Sequence, residues 1–563
     1  MMVRFFSAVA KEVRGMHEAA YLLAGFALAS QLLALVRDRI LAATFGASHT
    51  LDLYYAAFRL PDFLFATLAS LLSLYALLPV LSKLEREDES LVISFLRDVL
   101  WVFFIVMAFV CGIAFLLVPE LIRGLAPGLA DDPASRASLI LLIRILLLQP
   151  ILLGASNTIA SFTQLRHRFV LYSISPLLYN LGIIFGAVVL YPRIGIAGLG
   201  WGVVLGAFMH LIVQVPYFTA QARSRLMPLR EVLRYLSEIL LLSVPRTLAL
   251  AAGQISLLVI VALASFLAPG SIAIFNFAFN LQAVPYTIIG VSYSVAAFPT
   301  LARLFAAGER GQFAQNVEAA MRHIVFWAVP ATVFIIVLRA QLVRVILGAG
   351  QFDWAATRLT AAALALFVIS LTAQSLTLLI MRAYYAAGET KKPLYRGIVD
   401  IVVSVGSAMA LVALFHSSAF TRDFIESLLR VSDIPGTTVL MLALGYALGA
   451  WAQCVVGLAM FFRSFEIPTA RLKRLIWQSF SASVFGGAAA YGVLALLGAT
   501  GNIQHTFEVF AQGLAAGVAG LGVTVLTLRL MRNEELKEAL AAFSRRFAEV
   551  VPAAVEPTDV ASS

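Results

Sequence analysis

The sequence predicts an all-α, polytopic membrane protein of about fourteen transmembrane helices: two six-helix lobes in parallel pseudo-repeat, then a C-terminal helix pair. Three observations carry this. Of 563 residues, 61% are hydrophobic and 13% charged, with a mean hydropathy of +0.91, a surface that water could not solvate in a soluble protein of this length. Apolar segments of about 20 residues or more, the length needed to cross a hydrocarbon core, recur with short breaks. Positive charge is concentrated in every second break.

The segments fall near 19–45, 52–82, 98–118, 137–163, 170–191, 195–219, 238–266, 271–303, 318–347, 356–387, 394–415, 437–462, 474–498 and 508–530. Before them, MMVRFFSAVAKEVRGMHEAA has no small-residue cleavage site after a short apolar core, so residues 1–18 read as a basic amphipathic lead-in on the cytoplasmic surface. Basic residues follow the even-numbered spans: Lys83 and Arg86; Arg166, His167 and Arg168; Arg223, Arg225, Arg230 and Arg234; Arg303 and Arg310; Lys391 and Lys392; Arg463, Arg471, Lys473 and Arg474. The intervening loops, such as 46–50, 268–271 and 498–505, carry little positive charge. By the positive-inside rule both termini are cytoplasmic. The net charge of +10 therefore orients the chain in its membrane and does not build a nucleic-acid-binding face.

An internal repeat sets the domain organisation. ATFGASHTLDLYYAAFRLP from Ala43 resembles ASFLAPGSIAIFNFAFNLQAVP from Ala264, and each is followed by an apolar run, a proline (Pro79, Pro299) and a basic loop. Leu205-Gly206-Ala207 is matched later by Leu448-Gly449-Ala450. This divides the chain into an N-lobe (19–230), a C-lobe (231–465), a helix pair (466–531) and a cytoplasmic tail (532–563). The insertion 416–435 in the second copy contains Phe424, Ile425, Leu428 and Leu429 at helical spacing, which reads as a short interfacial helix. The tail reads as an amphipathic helix and then a disordered end rich in Ala, Pro and Ser.

The chemistry concentrates in Gln31 to Asp62, where Arg37, Asp38, Arg39, Asp52, Arg59 and Asp62 interrupt apolar helix. An ionisable side chain at membrane depth costs roughly 2.5–3.5 kcal/mol by insertion scales, so it persists where it meets a partner or a water-filled cavity. Asp52, Tyr55, Arg59 and Asp62 fall at i, i+3, i+7 and i+10, one stripe of a helix, as the lining of a pathway would. Arg37 and Asp38 could also neutralise one another, and Asp52, following a Gly-Ala-Ser-His turn, could cap a helix. Asn280 and Gln282 could bridge helices through hydrogen bonds. Cys111 and Cys454 lie inside apolar runs and His49 and His210 stand alone, which points to packing and not to a disulfide or metal site. No G-x-x-x-x-G-K-[ST] pattern occurs, so the chain is read as no enzyme of nucleotide hydrolysis.

LVRDRILAATFGASHTLDLYYAAFRLPD resembles the opening signature of the MurJ/MviN lipid II flippases, of the multidrug/oligosaccharidyl-lipid/polysaccharide (MOP) exporter superfamily. TQLRHRF with Pro176 and Asn180, VPRTLALAAGQIS, FNFAFNLQAVP with AAFPTLARL, LGAGQFD and RAYYAAGETKKP continue the likeness in order over nearly the whole chain. The resemblance implies a fourteen-helix flippase of the bacterial cytoplasmic membrane. It would carry the undecaprenyl-diphosphate-linked peptidoglycan precursor lipid II across by alternating access, for peptidoglycan biosynthesis and cell shape. It also implies an apolar groove at the last helix pair for the lipid tail, and drive from the membrane potential or an ion with no cofactor. Its partners would be the lipid-linked glycan diphosphate, membrane lipids and the cell-wall synthesis machinery. Export of another polyprenyl-diphosphate oligosaccharide, or a non-transporting scaffold, are the alternatives.

Residue by residue, Arg37, Asp38 and Asp52 stand where the family has its functional arginine-aspartate and aspartate, and Arg59 where it has a basic residue before Leu-Pro. Gln31 replaces an arginine, Phe65 and Ala66 a pair of arginines, Ser70 a glutamate, and Asn280 and Ala283 an arginine and a glutamate. Arg246, beside Pro245, is placed to restore one cation. The substrate-binding set expected is therefore Arg37, Asp38, Asp52, Arg59, Arg246, Asn280 and Gln282.

Overall fold

The computed structural model describes residues 16–68, 74–166, 168–219, 228–389, 391–465, 470–498 and 506–541, and these contain helices and connecting turns but no strand. The first part of the chain forms α1 (Met16–Phe45), α2 (His49–Ala57), α3 (Arg59–Leu68), α4 (Leu74–Glu87), α5 (Glu89–Leu125), α6 (Pro133–Leu146), α7 (Leu148–Leu165), α8 (Phe169–Phe185) and α9 (Ile196–Ile212). The second part forms α10 (Leu229–Ala264), α11 (Ser271–Tyr286), α12 (Ser292–Ala306), α13 (Arg310–Val337), α14 (Arg339–Leu347), α15 (Trp354–Val368), α16 (Leu371–Ala386), α17 (Lys391–Ser417), α18 (Ala419–Leu429) and α19 (Val439–Ser464). The pair α20 (Ala470–Gly498) and α21 (Thr506–Leu530) completes it. Residues 534–541 are helical; the rest of the expected tail, and residues 1–15 of the lead-in, lie outside the described residues.

Local chemistry starts and breaks these helices. Asp132 caps α6 by accepting from Ser135 N–H at 2.8 Å, with Pro133 in the first turn, where its missing N–H has no partner to lose. Asp353 caps α15 through Ala356 N–H at 2.7 Å. Between α2 and α3, Pro61 removes the N–H that would reach the Ala57 carbonyl and its ring crowds that group, so the helix breaks at Phe58. Pro285, in the last turn of α11, precedes a π-helical turn at Thr287–Val291.

Eleven helices among the described residues are long and apolar enough to cross a membrane, or twelve when α15 and α16, bent by 43°, count as one span. Of the fourteen expected spans, the two outside that count are 19–45, which is the 30-residue helix α1, and 52–82, which is divided among α2, α3 and α4. The expected insertion helix is α18. Phe424 and Leu428 face outward while Ile425 and Leu429 pack on the core.

With apolar lipid outside, hydrophobic burial does not by itself select helix partners, and small residues that let backbones touch do. Gly182 on α8 and Gly186, in the π-helical turn Gly186–Leu190 that follows it, meet Gly206 and Gly202 on α9 so closely that a Cβ on either of the first two would come within 2.3–2.5 Å of the partner backbone. In the second part Gly445 and Gly449 on α19 hold the same relation to Ala408 and Ser404 on α17. Gly206 and Gly449 are the glycines that the sequence repeat equates. On α20 and α21, Gly486 packs against Gly520 and Thr524.

Candidate functional site

The two parts of the chain meet at one end of the bundle through backbone. Gln351 N–H donates to the Ala43 carbonyl at 2.9 Å. Gly350, at φ +53°, lies so close to that carbonyl that a Cβ would reach it at 2.3 Å, and Gly270, at φ +90°, stands in the same relation to the Ala47 carbonyl. Arg39 closes the contact by donating to the Val345 and Ile346 carbonyls at the C-terminus of α14, at 2.5 and 3.1 Å, where a cation also favours the helix dipole.

Asp52 belongs to this seal. From α2 its carboxylate reaches the first turn of α11, accepting from Gly270 N–H at 2.5 Å and Ala273 N–H at 2.8 Å. The polar stripe expected to line a pathway therefore divides: Asp52 is buried between helices as a cap supplied from another helix, while Tyr55, Arg59 and Asp62 line a cavity beneath it. The break at Phe58 and the demand of four unpaired N–H groups at a helix start account for the difference.

That cavity, of about 290 Å³, is walled by Arg37 from α1, Tyr55, Arg59 and Asp62, Tyr179 from α8, Gln254 from α10, and Asn276 and Asn280 from α11. Arg37 donates to Asp38 Oδ1 from Nε and Nη2 at 2.9 and 2.7 Å, and from Nη1 to Asn180 Oδ1 at 2.9 Å. Asn280 Nδ2 donates to Asp38 Oδ2 at 3.1 Å. Arg59 Nη2 donates to Asn276 Oδ1 at 2.5 Å. Asp38 is buried and outside the wall, so its part is to hold Arg37. Asn280 and Asn276 supply amides that tie both arginines' surroundings to α11. The Arg59 Nε and Tyr55 Oη have no hydrogen-bond partner, a costly state for buried polar atoms. The cavity presents two guanidinium groups, the Asp62 carboxylate and vacant donors, and it is the vacant donors that suit an anion's oxygens.

Gln282 does not join this group. It is 1% exposed, lines neither polar cavity, and is packed within α11's buried face. Arg246 lies in α10, and its side chain, like all of Ser70, is outside the described residues. His49 shares a hydrogen bond with Ser135 Oγ, and His210 one with Ser156 Oγ. Among the described residues no cluster of three or more His, Cys, Asp or Glu could hold a metal.

A second cavity, of about 250 Å³, adjoins the first across Gln254 and Leu257, and Arg396, Asp400, Gln374, Gln453 and Tyr286 line it. Sequence reading passed over Arg396 and Asp400, although ionisable side chains inside an apolar helix are the signal that singled out Arg37 and Asp38. A third, of about 350 Å³, is almost wholly apolar and lies between Leu338–Ile346 and the α21 face bearing Val509, Gly513, Gly517 and Leu521.

The architecture is shared with solved transporters. A lipid II flippase MurJ in an inward closed conformation superposes with a TM-score of 0.69 at 19% identity, covering 91% of this chain and all of that one. An inward-facing multidrug resistance MATE family transporter of the MOP superfamily gives 0.61 at 16% identity over 77% of this chain and 94% of its own. The fold is thus one shared with MOP-superfamily transporters, and its long apolar helices make the protein a multi-pass membrane protein.

Sequence comparison narrows the class. The family profile of the lipid II flippase MurJ matches residues 41–512. The probable lipid II flippase MurJ of Thermotoga maritima is 25% identical over 529 residues, 91% of this chain and 96% of that protein. The lipid II flippase MurJ of Burkholderia cenocepacia is 25% identical over 409 residues, 70% of this chain and 78% of that one. The chain belongs to the MurJ lipid II flippase family.

Proposed function

We propose that this protein moves an undecaprenyl-diphosphate-linked peptidoglycan precursor from the inner to the outer leaflet of the bacterial cytoplasmic membrane. The observation that carries the reading is the pair of guanidinium groups, Arg37 and Arg59, on the wall of one cavity with the Arg59 Nε and Tyr55 Oη unpartnered. A diphosphate supplies the acceptors those donors lack. The apolar groove along α21 accommodates a polyprenyl tail.

With both termini cytoplasmic, as the alternation of basic loops supports, the end sealed by Asp52, Gly270 and Gly350 faces outward. The two lobes, 19–230 and 231–465, then rock against each other, and breaking that contact while closing the opposite end carries the head group across. Drive comes from the membrane potential or an ion, one net charge being worth roughly 2.3 kcal/mol per 100 mV. The chain performs no catalysis and needs no cofactor, and it delivers its cargo to the cell-wall synthesis machinery.

The test is complementation in bacteria depleted of their own lipid II flippase, with membrane insertion verified. Rescue by the native chain and its loss with Arg37→Ala or Arg59→Ala is expected. Rescue by both variants would show that neither arginine is needed for transport and would remove the observation on which the reading rests. A second reading, export of another polyprenyl-diphosphate oligosaccharide, is favoured by the neutral Asn280 and Ala283 where family members carry charge, and failure of the well-inserted native chain to rescue would select it.

A further inference from the structure

Arg396 is the largest fully buried side chain among the described residues, 2% exposed. It is the sixth residue of α17, only about one and a half turns from the Lys391–Lys392 end, near enough for an arginine to extend its head toward water. Instead the side chain turns inward across Gly457 of α19, where a Cβ would meet Arg396 Cδ at 2.6 Å, so α19 leaves a glycine-sized gap for its stem. Its Nη1 donates to the Thr377 carbonyl at 3.1 Å, and its Nε has no hydrogen-bond partner. It is not ion-paired with Asp400 one turn on. Both Asp400 oxygens are occupied: Oδ1 by Ser404 Oγ at 3.2 Å and Gln453 Nε2 at 2.9 Å, Oδ2 by Ser256 Oγ at 3.0 Å. A buried guanidinium with unused donors, bordering a cavity also lined by Gln254, Gln374 and Tyr286, lacks an acceptor.

We propose that this second cavity is a carboxylate subsite: Arg396 receives a single carboxylate of the transported head group while the diphosphate occupies the Arg37–Arg59 cavity. The number of guanidinium groups selects the ligand class. Arg396 is a single guanidinium not ion-paired with the Asp400 beside it, which suits one carboxylate, whereas the first cavity brings two guanidinium groups, Arg37 and Arg59, to a diphosphate, with Asp38 bonded to Arg37 and Asp62 on the same wall. Gln254, on α10, lines both cavities, so one extended head group can contact both through a shared wall. The planar guanidinium fork matches a carboxylate's two oxygens. The subsite rests on the flippase reading above, and it makes the protein select head groups bearing an acidic substituent over those bearing only the diphosphate.

The test measures binding to the full-length protein in detergent for three lipids: undecaprenyl diphosphate, the peptide-bearing precursor with free carboxylates, and the same precursor with its carboxylates amidated. The native protein is expected to prefer the free-carboxylate form over the amidated one by about tenfold, the scale of one charge-assisted pair. Arg396→Gln removes that preference and leaves undecaprenyl diphosphate affinity unchanged. Gly457→Ala, which displaces the Arg396 stem and deletes no charge, removes it as well, and Arg396→Lys retains part; these two carry the test if Arg396→Gln does not fold. Equal binding of both precursors by the native protein overturns the proposal, as does a preference that survives Arg396→Gln. Equal losses for all three lipids would make Arg396 a structural residue and overturn it too. Acetate binding that depends on Arg396, without discrimination between precursors, would assign the cavity to a free anion instead. Failure of the native protein to bind any of the three lipids counts against the flippase reading, which separates the two failures.

Discussion

The Asp52 carboxylate accepts the backbone N–H of Ala273 at 2.8 Å, and the two residues are 221 positions apart, the same offset that aligns Ala57 with Ala278 in the sequence repeat. Asp52 thus caps α11 at its own counterpart in the second copy. A single carboxylate joins the two repeats where they meet, and the second copy, with Ala273 at that position, returns no equivalent side chain.

Asp52→Asn and Asp52→Ala are expected to loosen the sealed end. Each removes two charge-assisted bonds to a helix start, worth about 1–3 kcal/mol per bond. A cysteine introduced by Ala47→Cys should react faster with a membrane-impermeant maleimide in the Asp52→Ala background. Unchanged labelling would show that the seal holds without this contact.

Gly270→Ala and Gly308→Ala separate backbone strain from collision. Both glycines have positive φ, +90° and +76°, but a Cβ at Gly270 would lie 2.3 Å from the Ala47 carbonyl and one at Gly308 would meet nothing within 4 Å. Gly308→Ala should cost only the left-handed backbone penalty, about 1–2 kcal/mol, and Gly270→Ala distinctly more, read as apparent melting temperatures in detergent. Equal losses would remove the close approach from the explanation.

Arg59→Gln is expected to weaken undecaprenyl diphosphate binding by about tenfold to a hundredfold, since a hydrogen bond to a charged group contributes about 1.5–3 kcal/mol. Asn276→Ala should have a smaller effect, because the amide only aims the guanidinium through its 2.5 Å contact. A double-mutant cycle should return a coupling of about 0.5–3 kcal/mol, and additive losses would mean that Asn276 does not position Arg59.

Gly517→Leu should fill the apolar groove, since the Gly517 Cβ position faces Leu338 Cδ1 at 3.5 Å with room beyond. Transport of a full-length polyprenyl substrate should fall while binding of a short-chain diphosphate analogue stays the same. A parallel fall in both would place the effect on folding and not on the tail.

Composition, hydropathy and basic-loop alternation determined that this chain is a helical membrane protein and where its helices run, because burial in lipid imposes length and polarity on each segment separately. The repeat and the interrupted first helices pointed to Arg37, Asp38, Arg59 and Asn280, since a charge or amide in an apolar helix is conspicuous on its own. Partnership was decided only by the tertiary structure. Asp52 left the cavity because another helix's first turn offered it two donors, Gln282 left it because its face of α11 turned inward, and Arg396 and Asp400 entered a cavity because Gly457 and the polar groups of α10 and α19 made room and bonds for them. Insertion into lipid is a property of local sequence, whereas the lining of a cavity depends on which faces of distant helices are brought together.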